Sequence, residues 1–297
     1  MTPQQILEIA RDGDLETMRV ERNAVADAVR RFAALGDAAS ALELVGRRWR
    51  AWLSHGELDE GSAIIATALA IPSERSAALW HVRVLCADGL FAFRAGDQQR
   101  SQASNEKALE IASQIGDVRG ECDALTGLAR VALRDGRHEG VVALARHAMD
   151  RAMSAGDREA GAAPLHLLAA GTRLLGDYPA ARELYLESLD LNREIGNLAR
   201  VSTELHNLGW VELHLGKVDE AREWFLQRDA AGSGDAYGDA WASLNWSAVA
   251  AAQGEMAEAQ RLFASGSRAL DKVGGHLDPD DLAELEWLRA QLSSFLD

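Results

Sequence analysis

Apolar residues along this chain recur at i, i+3 and i+4 within segments of about 16–18 residues, the spacing of amphipathic α-helices. Glycines punctuate the segments. One set falls at Gly56, Gly96, Gly136, Gly176 and Gly216, forty residues apart, and Gly254 follows after thirty-eight. A second set, Gly36, Gly116, Gly156 and Gly196, closed by Gly274, falls midway. Glycine ends a helix in the left-handed conformation without a Cβ penalty, and an acid just after it favours the next helix start. Asp97, Asp117, Asp157 and Asp177 stand in that place. Each forty-residue unit therefore predicts a helix–turn–helix pair, and the chain as a whole an all-α fold.

Aligning the units exposes columns of small residues. Gly89, Ala129, Ala169, Gly209 and Ser247 recur on the first helix; Gly61, Ser101, Ala181, Ala221 and Ala259 recur early on the second. Ala68, Ala108, Ala148, Ser188 and Gly266 recur later, preceded by the bulky Ile65, Tyr185, Phe225 and Phe263. Small residues at fixed offsets let helices approach closely while the bulky one fills the adjoining hole. HEAT-type repeats share the long period but not this small–small–bulky–small order.

The order resembles the tetratricopeptide repeat, at forty residues per unit. The run Leu205-His206-Asn207-Leu208-Gly209-Trp210, with Gly216 and Ala221-Arg222, is similar to the C-terminal repeat region of actinobacterial regulators of the AfsR and LuxR types. Trp49 to Gly61 resembles the opening repeat of that region, and Ala259 to Phe263 with Gly274 to Leu296 its closing helices. The resemblance runs from about Glu21 onward and implies a right-handed superhelical solenoid of antiparallel helix pairs. On this reading residues 1–36 are N-terminal capping helices, 37–277 the repeats and 278–297 a C-terminal capping helix, making a single solenoid of about six pairs. Trp49 replaces the small residue of the first unit, and Arg48 and Asp88 replace apolar neighbours, so the first repeats are degenerate. Such regulators place a nucleotide-binding ATPase ahead of this region, but no G-x-x-x-x-G-K-[ST] loop occurs here.

Two local features qualify the pattern. Ala231 to Asp235 reads as a longer turn at the two-residue deletion. Pro179 suits a first helical turn, and Pro279 opens a terminal helix, Asp280 to Leu296, expected to cover the last repeat. Pro164 falls two residues before His166, so that either its helix starts late or it is kinked.

Composition narrows the function classes. With Lys+Arg 31 against Asp+Glu 46 the net charge is −15, which opposes a nucleic-acid partner. No run of eighteen apolar residues suggests a membrane span, and Met1 to Gln5 lacks the basic start of a secretory leader. Cys86 and Cys122, within helical patterns, read as reduced thiols, and a cytoplasmic location is expected.

Candidate chemistry lies on the first helices, which line the concave face of such arrays. The inward positions are Glu43, Arg47, Arg50, Arg83, Cys86, Arg94, Asp123, Thr126, Arg130 and Arg134, then His166, Arg173, Thr203, His206, Asn207, Trp210, His214, Trp241 and Asn245. Arginines suit a carboxylate or phosphate through their bidentate fork. Indoles with directing amides and imidazoles suit a flat or apolar body. We therefore expect a groove binding a small acidic organic ligand or a peptide through Arg47, Arg83, Asp123, Arg130, His166, His206, Asn207, Trp210, His214, Trp241 and Asn245. The alternatives are a scaffold for a partner protein, and an enzyme using His166, His206 and Asp123 for acid–base cyclisation, elimination or isomerisation. His206 and His214, about 12 Å apart along a helix, cannot share an ion. No metal or other cofactor is expected, and homodimerisation through an end repeat stays open.

Overall fold

A computed structural model of the chain describes residues 1–12, 22–232, 236–273, 277 and 279–293. Among them there is no strand. The chain divides into two compact units, residues 1–131 with 147–160 and residues 132–146 with 161–297. The first unit runs through α1 (Pro3–Asp12), α2 (Arg22–Ala34), α3 (Ala38–Arg48), α4 (Arg50–Ser54), α5 (Leu58–Leu69), α6 (Ala78–Arg94) and α7 (Gln98–Ile115). Three helices, α8 (Val118–Arg134), α9 (His138–Ala155) and α10 (Arg158–Leu174), contribute to both units. The second continues through α11 (Tyr178–Glu194), α12 (Leu198–His214), α13 (Val218–Ala231), α14 (Ala236–Ala252), α15 (Met256–Val273) and α16 (Pro279–Ser293).

The glycine punctuation works as the spacing predicts. Gly56, Gly96, Gly116, Gly136, Gly156, Gly176, Gly196, Gly216 and Gly254 all take positive φ, between 69° and 84°, and their Cβ positions face open space. The acids and amide that follow start the next helix: Asp97 accepts from Arg100 N, Asp157 from Ala160 N, Asp177 from Ala180 N and Asn197 from Arg200 N. The small-residue columns hold the helices together. A Cβ on Gly209 of α12 would overlap the ring of Phe225 on α13, and one on Gly61 of α5 the ring of Phe91 on α6. Asn105 takes the bulky position of its repeat, wedged between Gly89 and Gly127 and donating to Ser101 O at 2.8 Å.

The degenerate first repeat has a structural consequence. Where other repeats have one long first helix, the chain breaks at Trp49 into α3 and α4. Asp88, in the column of Leu128, Leu168 and Leu208, is buried and accepts from Arg100 and from Ser104 Oγ. Arg75–Arg94 has the length and apolar composition of a membrane span, but most of that window, 61%, is buried inside the protein, as in a core helix.

Pro164 lies inside α10, so the helix does not start there. Gly232 takes a φ of 76°; the rest of the predicted long turn (233–235), Gly274 and Leu296 lie outside the described residues. The terminal helix forms as expected, but it does more than cover the last repeat. α16 packs on α14 and α15, and its acidic side chains reach α10 and α12.

Candidate functional site

The sequence puts one set of chemistry on one groove; the structure divides it between the units. Arg47, Arg83, Asp123 and Arg130 belong to the first unit, and His166, His206, Asn207, Trp210, His214, Trp241 and Asn245 to the second.

In the first unit Arg47 pairs with Glu43 one turn back at 3.0 Å and lies over the Trp80 ring, 4.7 Å from its centroid. Arg50, exposed, lies over Trp49 at 4.3 Å. Arg83 donates to Asp117 Oδ1 at 2.9 Å and stands 3.6 Å from Asp123 Oδ2. Asp123 is 48% exposed at its side chain. Even so, the surrounding protein pushes its carboxyl above the ordinary aspartate range, against the pull of Arg83, Arg119, Arg50 and Arg130. Cys86 sits nearby, its thiol pushed well up by burial and then by Asp123, which leaves it a poor nucleophile. Cys122 is buried, donates to Ala148 O at 3.3 Å, and is pushed up to about 11 by burial and the acids around it.

In the second unit the expected ligand-binding wall is covered. Trp210, Trp241 and Asn245 are fully buried, and His206 and Asn207 nearly so. Trp210 donates from Nε1 to Asn245 Oδ1 at 2.9 Å and packs edge-on against Trp241, Phe225 and Trp287. What covers the wall is α16. Glu284 lies 2.7 Å from His214 Nε2, which also stacks flat on Tyr178 at 4.5 Å. Asp281 accepts from Tyr237 Oη at 2.5 Å and stands 3.5 Å from His206 Nε2, at ion-pair distance without hydrogen-bond geometry. Arg173, 2% exposed, donates to Asp280 at 3.2 Å and to Asn207 Oδ1 at 3.3 Å, and forms an ion pair with Glu284 at 3.0 Å. Leu285, Leu288 and Leu292 of α16 join the cluster around Trp210 and Trp241.

Electrostatics follow from this burial. Burial alone would lower the Arg173 guanidinium, but Tyr185, Glu284, Asp280 and Asp281 hold it above its ordinary value. Burial and the like charge of Asp281 push the Asp280 carboxyl up, more than Arg173 pulls it down. Asp281 is itself lowered: burial opposes, and His206 and Tyr237 outweigh it.

His166 has a different partner from the one the sequence suggests. Its Nδ1 lies 3.0 and 3.1 Å from the two oxygens of Glu204, fully buried on α12, which also accepts from Ser188 Oγ at 2.8 Å. Burial raises the Glu204 carboxyl, but the charge and hydrogen bond of His166 bring it below the usual range. A carboxylate on Nδ1 fixes the orientation of the imidazole. Here Glu204, not Asp123, is the carboxylate on this histidine. Among the described residues no group of three or more His, Cys, Asp and Glu is arranged to hold a metal.

Three participants were missed: Glu204, Tyr178 and the acidic face of α16. Glu204 had a signal, since its column is otherwise Val84, Ala124 and Pro164. In α16 the spacing Asp280, Asp281, Glu284, Trp287 places all four within one helical face, but periodicity does not say where that face docks.

Comparison with known proteins agrees with the helix-pair geometry. Residues 162–228 match the tetratricopeptide repeat family. No curated protein sequence matches the chain. Among solved structures, the chain is similar to a Rap protein crystallised with competence and sporulation factor, at 13% identity and a TM-score of 0.62, over 90% of this chain and 79% of that one. It is similar to aspartyl phosphate phosphatase F from Bacillus subtilis, at 14% identity and a TM-score of 0.66, over 87% and 67%. It is also similar to a signal-transduction ATPase (STAND) protein with a tetratricopeptide-repeat sensor from Pyrococcus horikoshii, at 17% identity and a TM-score of 0.65. That match covers 99% of this chain and 43% of the other. The chain thus carries tetratricopeptide-type repeats at residues 162–228 and a tetratricopeptide-like all-α fold over most of its length.

Proposed function

We propose that this chain is a partner-binding repeat module whose first-helix faces take acidic peptide segments, with the arginine surface of the first unit as the receiving site. One observation carries the reading. In the second unit the columns of His206, Trp210 and His214 grip a helix through its carboxylates and an indole. In the first unit two of those columns carry arginine: Arg50 and Arg130 align with Trp210, and Arg94 with His214, at multiples of forty residues. Arg50 and Arg94 are exposed, and Arg130 is half-buried. Guanidinium forks at regular spacing suit successive carboxylates on one ligand. Similarity to a Rap protein complexed with competence and sporulation factor, and to a signal-transduction ATPase with a tetratricopeptide-repeat sensor, supports a binding role. A small acidic metabolite would use the same guanidiniums.

The test is a titration of a labelled, acid-rich helical peptide of about 15 residues into the chain, followed by anisotropy, with a panel of small carboxylates as competitors. The Arg50→Ala/Arg130→Ala double variant should weaken binding by about 10-fold or more, as loss of charge-assisted contacts worth over 1.4 kcal/mol implies. Peptide affinity equal in the wild-type and double-variant chains would refute the assignment.

A further inference from the structure

The helix seated on the second unit is bound in an unusual way for a cap. The face α16 buries holds Asp280, Asp281 and Glu284 beside Leu285, Leu288 and Leu292. The carboxylates meet Arg173, His206, His214 and Tyr237. Buried ion pairs carry a desolvation cost that apolar packing would not, so they contribute more to selectivity than to stability.

The fit is also incomplete, and in one direction. Arg173 Nε, Asn207 Nδ2, Trp241 Nε1 and Asn245 Nδ2 are buried without a hydrogen-bond partner, and so is His206 Nε2. Each of the first four is a donor, so this face offers more donors than α16 supplies acceptors. Meanwhile two like charges, Asp280 and Asp281, sit side by side, and burial together with the charge of Asp281 pushes the Asp280 carboxyl up. The apolar part of the contact, Trp287 and the three leucines against Trp210 and Trp241, is a ridge that any amphipathic helix can provide.

We propose that α16 is an exchangeable occupant of this face, and that the face recognises an acidic, indole-bearing helix of a partner protein in the order Asp-Asp-x-x-Glu-x-x-Trp. The proposal rests on the partner-binding reading above and assigns a second surface to it. A partner helix of that order displaces α16 when its intervening positions carry additional acceptors for the donors that α16 leaves unpaired. In the resting chain α16 therefore holds the site closed against weaker ligands.

The probe is a fluorescein-labelled peptide of residues Pro279–Ser293, added to the full chain and followed by anisotropy. Weakening the internal helix with Asp281→Asn/Glu284→Gln should make the labelled peptide bind at least 10-fold tighter than it does to the unaltered chain. Adding His214→Ala to that variant should reverse the gain, and a peptide carrying Asn, Asn and Gln at the three acids should not bind. Because an acid-rich peptide also meets the first-unit arginines, the quantity read is the gain itself, and that gain should persist when Arg50→Ala/Arg130→Ala are added to the weakened variant. If they abolish it, the peptide sits on the first unit, and the exchange proposal fails while the partner-binding reading stands. No binding to the weakened variant also overturns the proposal. Hydrogen exchange on the unaltered chain gives a reading that needs no variant. Amides of α16 should be at least 10-fold less protected than those of α12, and equal protection would make α16 a fixed part of the fold.

Discussion

Glu204 shows how one residue can depart from a repeat pattern and set local chemistry. Its column is apolar elsewhere, so the acid has no role in packing and is present for His166 and Ser188. Its carboxyl is held below the ordinary range. A group depressed in this way contributes stability above its unfolded value, and loses it as pH falls through its folded value. Urea denaturation should show the wild-type chain losing more stability than Glu204→Gln between about pH 6 and about pH 3. Parallel losses would show that the pair is not coupled to folding. The histidines themselves were legible, because His166 and His206 fall one period apart. Their partners were not, since a period aligns residues of successive repeats but does not reveal which side chain of a neighbouring helix meets them.

Among the elements, the helix pair α12–α13 illustrates what spacing does predict. Gly209 and Phe225 were expected to interlock from their columns, and the ring lies where a Cβ on Gly209 would be. Gly209→Ala should cost about 1–3 kcal/mol by overpacking, measured by equilibrium unfolding, and Phe225→Leu in the same chain should recover part of it. A cost in the double variant equal to the sum of the singles would contradict direct interlock. Helix α16 marks the limit of such reasoning. Its existence follows from Pro279 and the pattern behind it, but its docking joins Asp280 to Arg173 across 107 residues, and no local signal encodes so distant a pairing. The eleven expected ligand-binding residues lie on first helices as anticipated, but in the second unit the indoles and amides are covered rather than open.

For the whole molecule, the net charge of −15 is the dominant long-range property. On the proposed reading, an acidic peptide approaches the first unit against that field and is held by guanidiniums at short range. Salt therefore acts in opposite senses on the two rates: it screens the repulsion during approach and weakens the exposed pairs after contact. Stopped-flow measurements between about 50 and 300 mM salt should show both association and dissociation of an acid-rich peptide becoming faster. Association that slows with salt would mean that attraction governs the approach, contrary to this account. The all-α repeat fold was readable from glycine and small-residue periods, because helix ends and close helix contacts demand particular residue types. The division into two units was not, as it falls within α8, α9 and α10 and carries no change of composition.

The most direct measurement is NMR of the arginine Nε–H groups during addition of an acid-rich helical peptide. The account predicts shifts at Arg50, Arg83 and Arg130 that saturate together. Shifts confined to second-helix residues such as Arg100 or Arg151, or none at all, would contradict it.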